Sequence, residues 1–199
     1  MKIDPPNLDR TESHNLMVSI IVPRPIAWVS TVSEDGIFNL APFSMYTAGA
    51  GGVVFGVSWR RDGEKKDTLR NIESTKEFVI NVVDETLAEA MNVTAVPYPP
   101  DVDEFKEAGL TPIKADLVKA PMVGKSPINL ECRLRQILES GEGLRKSSFI
   151  MGDLLRVHIR DELIVDGEIQ MDRLKAIARL GGEWYCRTRD LFTMPRPPD

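Results

Sequence analysis

The feature of this sequence that most restricts its fold is the order of its β-branched and aromatic segments. About six such segments predict strands, over 26–33, 37–40, 53–59, 77–83, 128–135 and 148–159. Roughly three or four short helical segments lie among them at irregular intervals, so the strict alternation of a doubly wound sheet is missing. The order predicts a mainly β fold, with a closed or partly closed antiparallel barrel and peripheral helices.

Turn residues indicate where strands reverse direction. Asp35-Gly36 and Asp166-Gly167 predict tight turns, because an Asp-Gly pair tolerates positive φ. Pro42 has no amide hydrogen for a strand ladder, so it predicts a bend or a loop just beyond the second strand.

Helical segments are predicted from apolar spacing and capping residues. The first helix is predicted over 67–75, with Asp67 or Thr68 as its N-cap. The second is capped by Asp84 and has Leu87 and Met91 on one face. The third covers 103–108 and is ended by Gly109, and the fourth covers 171–180 and is ended by Gly181-Gly182. The segment 128–135 alternates cleanly, which predicts a half-buried strand.

Length and composition restrict the class of protein. The 199 residues predict a single domain over 1–199 that buries a core without disulfides. The formal net charge of −5 argues against a nucleic-acid surface, which needs a basic face. No signal peptide and no apolar run near the roughly 20 residues of a membrane span are found. We therefore expect a soluble cytoplasmic protein that binds neither nucleic acid nor membrane.

Few residues suit metal, nucleotide-loop or acid–base chemistry. Cys132 and Cys186 form neither a CxxC pair nor a zinc spacing, and the histidines are only His14 and His158, so we predict no metal site. The glycine run 49–56 leads into a strand rather than a helix, unlike a dinucleotide-binding loop. No Gly-x-Ser-x-Gly elbow is present, and the sequence assigns no catalytic side chain.

Two groups of polar residues are candidates for a ligand site. Ser30-Thr31 and 39–44 place small hydroxyl and amide groups beside apolar residues at strand ends, a mixture that suits a flat, partly polar heterocycle. The alternative is ordinary strand-end polarity, which spacing alone favours.

The second group is the stretch 58–71, which carries five basic and three acidic residues. Arg60, Lys66 and the predicted helix start at 67–68 together suit an anion, because helix N-terminal amides and a guanidinium both attract negative charge. The alternative is a solvated loop of mixed charge.

The chain resembles the flavin reductase-like family, which has an FMN-binding split β-barrel fold of Greek-key type. The resemblance is carried by Pro-Arg-Pro-Ile-Ala-Trp-Val-Ser-Thr at 23–31, Asn-Leu-Ala-Pro-Phe-Ser at 39–44 and Lys-Asp-Thr at 66–68. Further matches are 35–36, 71–72, 77–78, 103–105, 108–110, 152–153 and 179–182 with Tyr185. They follow the family's order over nearly the whole chain, and their combination is specific although each piece alone is not.

The resemblance implies a homodimer with one FMN per subunit near the interface. It places the isoalloxazine and the ribityl chain against Ser30, Thr31 and the backbone of Asn39, Leu40, Ala41, Pro42, Phe43 and Ser44. It assigns the ribityl–phosphate end to Ser58, Arg60, Lys66 and Thr68, with Asp67 capping the helix and Tyr185 closing the site. Trp28 and Trp59 either flank the site or pack in the core.

The same resemblance implies an NAD(P)H-dependent flavin reductase that passes hydride to flavin N5. NADH or NADPH is then the reductant, and an electron-accepting protein or an oxygenase is the partner. Many members carry a histidine where this chain has Ser147-Ser148. This departure motivates an alternative, an FMN-holding electron-transfer protein like flavoredoxin that a protein partner reduces. A third alternative is a split barrel for another ligand or for none.

Overall fold

A computed structural model describes residues 1–49, 51–143 and 146–197. The strands are β1 (Ala27–Val32), β2 (Phe38–Phe43), β3 (Tyr46–Gly49), β4 (Gly52–Ser58), β5 (Glu77–Asn81), β6 (Pro112–Ile113), β7 (Met122–Val123), β8 (Ile128–Ser140), β9 (Ser147–Ile159), β10 (Ile164–Val165), β11 (Glu168–Ile169), β12 (Ile177–Arg179) and β13 (Tyr185–Arg187). The α-helices are α1 (Arg10–Ile20), α2 (Asp67–Thr75), α3 (Ala88–Val93), α4 (Glu104–Glu107) and α5 (Met171–Leu174). None of the helices in these described ranges is both long and apolar enough to cross a membrane.

Seven strands form one antiparallel sheet in the order β2-β1-β5-β8-β9-β4-β3. The sheet curls, so that β2 and β4 contact each other although they are not neighbours in it. A core of aromatic and aliphatic side chains packs against the sheet, with the ring centroid of Phe55 5.5 Å from those of Phe43 and Phe78. The predicted mainly β fold, with peripheral helices, is confirmed.

The predicted turns and the predicted cap at Asp84 are confirmed, and Asp103 is a further cap that was not predicted. Gly36 adopts φ 83° in the β1–β2 hairpin, and Asp166 and Gly167 adopt φ 51° and 81° between β10 and β11. Asp84 and Asp103 each accept hydrogen bonds from backbone amides of the helical turn that follows. These local signals hold because a short side chain or a positive φ acts within a few residues.

The bend predicted at Pro42 is wrong. Pro42 is part of β2 and lies opposite Trp28 of β1. Because β2 is an edge strand of the sheet, a residue without an amide hydrogen is tolerated there. The position of β2 at the edge depends on the whole topology, which the local sequence does not show.

The helix predicted over 171–180 is found over Met171–Leu174 and is wrong beyond it. α5 ends at Leu174, Lys175 adopts φ 48°, and β12 then pairs with β13. Ile177 and Ala178 are buried, so strand pairing and burial override the helical spacing of this segment.

An N-terminal helix, α1, goes beyond the sequence predictions. Asp9 accepts a hydrogen bond from the amide of Glu12, and the Glu12 carboxylate accepts one from the amide of Asp9. This capping box is visible in the sequence as Asp-x-x-Glu. No residue of α1 is buried, so the helix does not pack an apolar face against the core as most surface helices do.

A buried carboxylate interrupts the half-buried pattern predicted for β8. Glu131 is fully buried, and it accepts hydrogen bonds from the amides of Leu117 at 2.6 Å and Val118 at 3.1 Å. His158 Nε2 lies 2.6 Å from Glu131 Oε1. Burial by itself would raise the pKa of Glu131, but the bonds from His158 and from the amides hold that pKa below its ordinary value. The carboxylate thus fastens the segment 116–118 to the sheet.

Candidate functional site

A cleft opens between β2, the start of α2 and the segment that follows α3. Its empty volume, including open solvent at its mouth, is about 560 Å³. It is lined by the predicted binding residues Asn39, Ala41, Pro42, Phe43, Arg60, Lys66, Asp67 and Thr68, and by Glu104 and residues 94–98, which were not predicted. The structure therefore brings the two polar groups of the sequence, 39–44 and 58–71, together at one place.

Lys66 gives this cleft an uncompensated positive charge. Among the described residues, no carboxylate lies within ion-pair distance of its Nζ, which is 5.7 Å from the ring centroid of Phe43. Burial lowers the pKa of Lys66, and the charge of Arg60 lowers it further. A partly buried ammonium without a counter-ion is costly, so the position fits an anion.

Arg60 presents a buried donor atom that is unpaired among the described residues. Its Nη2 lies 2.5 Å from Oδ2 of Asp67, and Arg70 bonds the other oxygen of that carboxylate. The Nε of Arg60 is buried and has no hydrogen-bond partner within the described part of the chain. Since buried donors are almost always paired in native proteins, an acceptor is expected at this atom.

The start of α2 adds backbone donors to the same end of the cleft. Lys66 occupies the N-cap position, and no side chain of residues 1–49, 51–143 and 146–197 caps the helix. The predicted capping by Asp67 or Thr68 is therefore wrong, because Asp67 is the first helical residue and its carboxylate is committed to Arg60 and Arg70. The first amides of an α-helix lack intrahelical acceptors, and the helix dipole favours negative charge beside them.

A buried network forms the opposite wall of the cleft. The carboxylate of Glu104 accepts hydrogen bonds from Asn39 Nδ2 at 2.8 Å and from the amide of Leu40 at 3.0 Å. Asn39 Oδ1 accepts from the hydroxyls of Thr68 at 2.8 Å and Thr31 at 3.3 Å. Burial raises the pKa of Glu104, against the opposing effect of these hydrogen bonds.

Four other predicted residues have buried side chains that do not line the cleft: Trp28, Ser30, Thr31 and Leu40. Trp28 Nε1 donates to the hydroxyl of Thr94 at 2.8 Å, and Ser30 Oγ donates to the carbonyl oxygen of Pro121 at 2.5 Å. These side chains are satisfied within the protein. Their predicted contacts with a flavin remain predictions.

The remaining predicted residues also lie away from the cleft wall. Ser44 accepts a hydrogen bond from Arg24 Nε at 3.3 Å, and Ser58 is exposed at the end of β4. The guanidinium carbon of Arg179 lies 4.4 Å from the centroid of the Tyr185 ring. Tyr185 lines a separate cavity. Closure of the site by Tyr185 remains a prediction.

The strand end at Ser147-Ser148 contains a hydrogen-bonded indole. Trp59 Nε1 donates to Ser148 Oγ at 3.0 Å, and the Lys146 ammonium lies 3.9 Å from the centroid of the Trp59 ring. His158 is near the other end of β9 and contacts Glu131. His158 and Ser147-Ser148 thus lie at opposite ends of this strand.

One group of residues brings ligand-type atoms together outside the cleft. Oxygen and nitrogen atoms of Asp116, Glu131 and His158 lie within 4.8 Å of one another. The 2.6 Å separation of His158 Nε2 from Glu131 Oε1 is that of a direct hydrogen bond, and Asp116 pairs with Arg156 at 2.6 Å. These groups satisfy one another, so we interpret the cluster as structural.

Comparison with known proteins identifies the wider group to which this geometry belongs. The model of the flavin reductase like domain matches residues 18–171. Component B of nitrilotriacetate monooxygenase from Bacillus cereus superposes with a TM-score of 0.93 at 31% identity, covering 98% of both chains. The 2-nitrobenzoate 2-nitroreductase of Pseudomonas fluorescens superposes with a TM-score of 0.89 at 28% identity, covering 99% of this chain and 96% of the other. A Shewanella frigidimarina protein with a split barrel domain shares the fold, with a TM-score of 0.81 at 23% identity over 99% and 100% of the two chains.

Proposed function

Because the chain belongs to the flavin reductase-like domain family, we propose that it binds FMN in the cleft beside α2 and acts as an NAD(P)H-dependent flavin reductase. The flavin supplies the hydride-accepting chemistry when it is bound. The protein's own task is to bind the flavin, orient its ring and hold its phosphate. Hydride transfer needs no obligatory acid–base side chain, which suits a cleft without a histidine or a cysteine in its wall.

The observation that supports FMN is the unsatisfied cationic end of the cleft. Among the described residues, a half-buried lysine without a carboxylate partner, a buried guanidinium donor without an acceptor and a helix start without a side-chain cap converge there, at Lys66, Arg60 and Asp67. A phosphate monoester carries the charge and the several acceptor oxygens that these groups lack. The donor set therefore fits the phosphate of a flavin mononucleotide.

The edge of β2 supports the placement of the flavin ring. The amide of Leu40 is occupied by Glu104, and Pro42 has no amide hydrogen. Backbone groups that face away from β1 therefore offer mainly carbonyl acceptors along this stretch. Carbonyl acceptors beside the apolar Ala41 and Phe43 suit a flat ring that has an N–H group on its edge.

Anaerobic reduction of the FMN-loaded protein tests the proposed activity. We expect the visible flavin absorbance to bleach on mixing with NADH or NADPH, at a rate that saturates with nicotinamide concentration. Free FMN without protein, at the same concentrations, is the control. Bleaching no faster than in this control would contradict the reductase proposal. In that case the electron-transfer alternative, motivated by Ser147-Ser148, would be favoured.

We also propose a homodimer, which passes electrons to an oxygenase or another electron-accepting protein. Large apolar side chains are strongly exposed on α1 and near the C-terminus, including Ile20 at 62%, Trp184 at 75% and Phe192 at 81%. Such surface on a single chain is typical of an interface. Sedimentation at micromolar concentration should give twice the chain mass of 22.3 kDa, whereas a single-chain mass would contradict the dimer.

Both cysteines are free thiols, which supports a cytoplasmic location.

A further inference from the structure

The hydrogen-bond network behind the cleft wall has a fixed direction. An ionised carboxylate only accepts hydrogen bonds, so Glu104 requires Asn39 to present its Nδ2 to it. The carbonyl oxygen of Asn39 must then face the other way, toward Thr68 and Thr31. Both threonine hydroxyls consequently donate their single proton to Asn39 Oδ1.

This direction determines what Thr68 offers to a ligand. Its hydroxyl proton is used in the 2.8 Å bond to Asn39, so the oxygen has only lone pairs left for the cleft that it lines. A lone pair repels a phosphate oxygen and accepts from an alcohol. Thr68 therefore suits a ribityl hydroxyl, while the phosphate is left to Lys66, to Arg60 and to the backbone amides of α2.

We propose that Glu104 is a positioning residue for the flavin, which acts through Asn39 to keep Thr68 a hydrogen-bond acceptor toward the ribityl chain. This inference rests on the proposed FMN binding and adds to it the residue that fixes the orientation of the Asn39 amide. It also gives a role to the Asp103-Glu-Phe segment, in which Asp103 caps α4, Phe105 is fully buried and Glu104 fixes the network.

A hydrogen-bond exchange tests the proposal. In Glu104→Gln the side-chain NH2 group faces another donor, either Asn39 Nδ2 or the amide of Leu40. We expect the Asn39 amide to rotate so that its oxygen accepts from the new NH2 group. Its Nδ2 then faces the threonines, and Thr68 no longer donates to Asn39. We expect FMN affinity, measured by quenching of flavin fluorescence, to fall on the order of tenfold. Adding Asn39→Asp restores an acceptor toward Gln at 104 and toward both threonines with the net charge unchanged, so the double variant should recover most of the affinity.

Two further variants separate positioning from general damage. Glu107→Gln, on the same helix but outside the network, should bind FMN like the unaltered protein. Thr68→Val removes the hydroxyl at the end of the hydrogen-bond network. The double variant Thr68→Val/Glu104→Gln should therefore lose no more FMN affinity than Thr68→Val alone. Melting curves of each apoprotein identify a variant that fails to fold. If Glu104→Gln fails to fold, the test uses Thr68→Val. Unchanged FMN affinity of Thr68→Val would then contradict the proposal.

The possible results distinguish this inference from the proposed function. Absence of FMN binding by the unaltered protein would overturn the proposed function. Normal binding by that protein, together with equal affinities for Glu104→Gln and Glu107→Gln, would overturn only the role of Glu104. Failure of Asn39→Asp to improve Glu104→Gln would also overturn it.

Discussion

Replacing Lys66 with methionine should weaken FMN binding by about 1.5–3 kcal/mol, the usual contribution of a hydrogen bond to a charged group. The same change should leave the apoprotein at least as stable as before, because it removes an ammonium that is partly buried without a counter-ion. The methionine keeps the apolar stem over Phe43. Flavin titration and denaturant unfolding of the apoprotein measure the two effects.

Lys65→Met is the matched control for this prediction. Lys65 is the adjacent residue, but its ammonium pairs with Glu73 at 2.6 Å and lies 5.3 Å from the ring centroid of Trp59. Its charge is therefore already compensated, and we expect little change in FMN affinity. Equal losses for the two variants would show that general electrostatic attraction, rather than a phosphate contact by Lys66, holds the flavin.

Glu131→Gln should lower the free energy of unfolding at neutral pH by about 1–3 kcal/mol, since the new amide group leaves a backbone donor of the segment 116–118 unpaired. The pKa of Glu131 is lower in the folded protein than its ordinary value of 4.5. Its contribution to stability is therefore fully present above about pH 4.5 and is lost as pH falls through the lower folded pKa. The variant should accordingly lose less stability than the unaltered protein on acidification.

Glu77→Gln provides the comparison for Glu131. Glu77 lies on the neighbouring strand β5 and accepts one hydrogen bond, at 3.0 Å, from the exposed amide of Lys119. Water can replace that bond, so unfolding by urea at neutral pH should change little. If the two variants were equally stable from pH 3 to pH 7, the buried carboxylate would not anchor the segment as described.

The sequence predicts the parts of the site that depend on residue type and local spacing. The apolar strands, the turn at Asp35-Gly36 and the cationic pair Arg60 and Lys66 are all found where the pattern placed them. The proposed anion site could be predicted from the sequence because lysine and arginine that follow a strand and precede a helix carry a positive charge wherever they are placed.

The other half of the site depends on tertiary contacts that no local pattern shows. Glu104 is a glutamate on a short, mostly polar helix, and only the fold turns it toward Asn39, 65 residues earlier in the chain. Residues 94–98 are common loop residues that become a wall because α3 ends beside β2. Tertiary contacts also give Ser30 and Thr31 hydrogen-bond partners within the protein, and their predicted contacts with a flavin remain predictions.

The strand order has a consequence for how this protein matures during synthesis. Every residue that lines the cleft lies between Asn39 and Glu104, but β5 and β4 obtain their second neighbours, β8 and β9, from residues 128–159. Such long-range pairing is slow, because a large loop must close before its contacts form. A nascent chain that has just emerged past Glu104 therefore contains every residue of the cleft, while two strands of the sheet, β4 and β5, still lack their second partners. The ability to hold a ligand there should arise only with the last hairpin of the sheet.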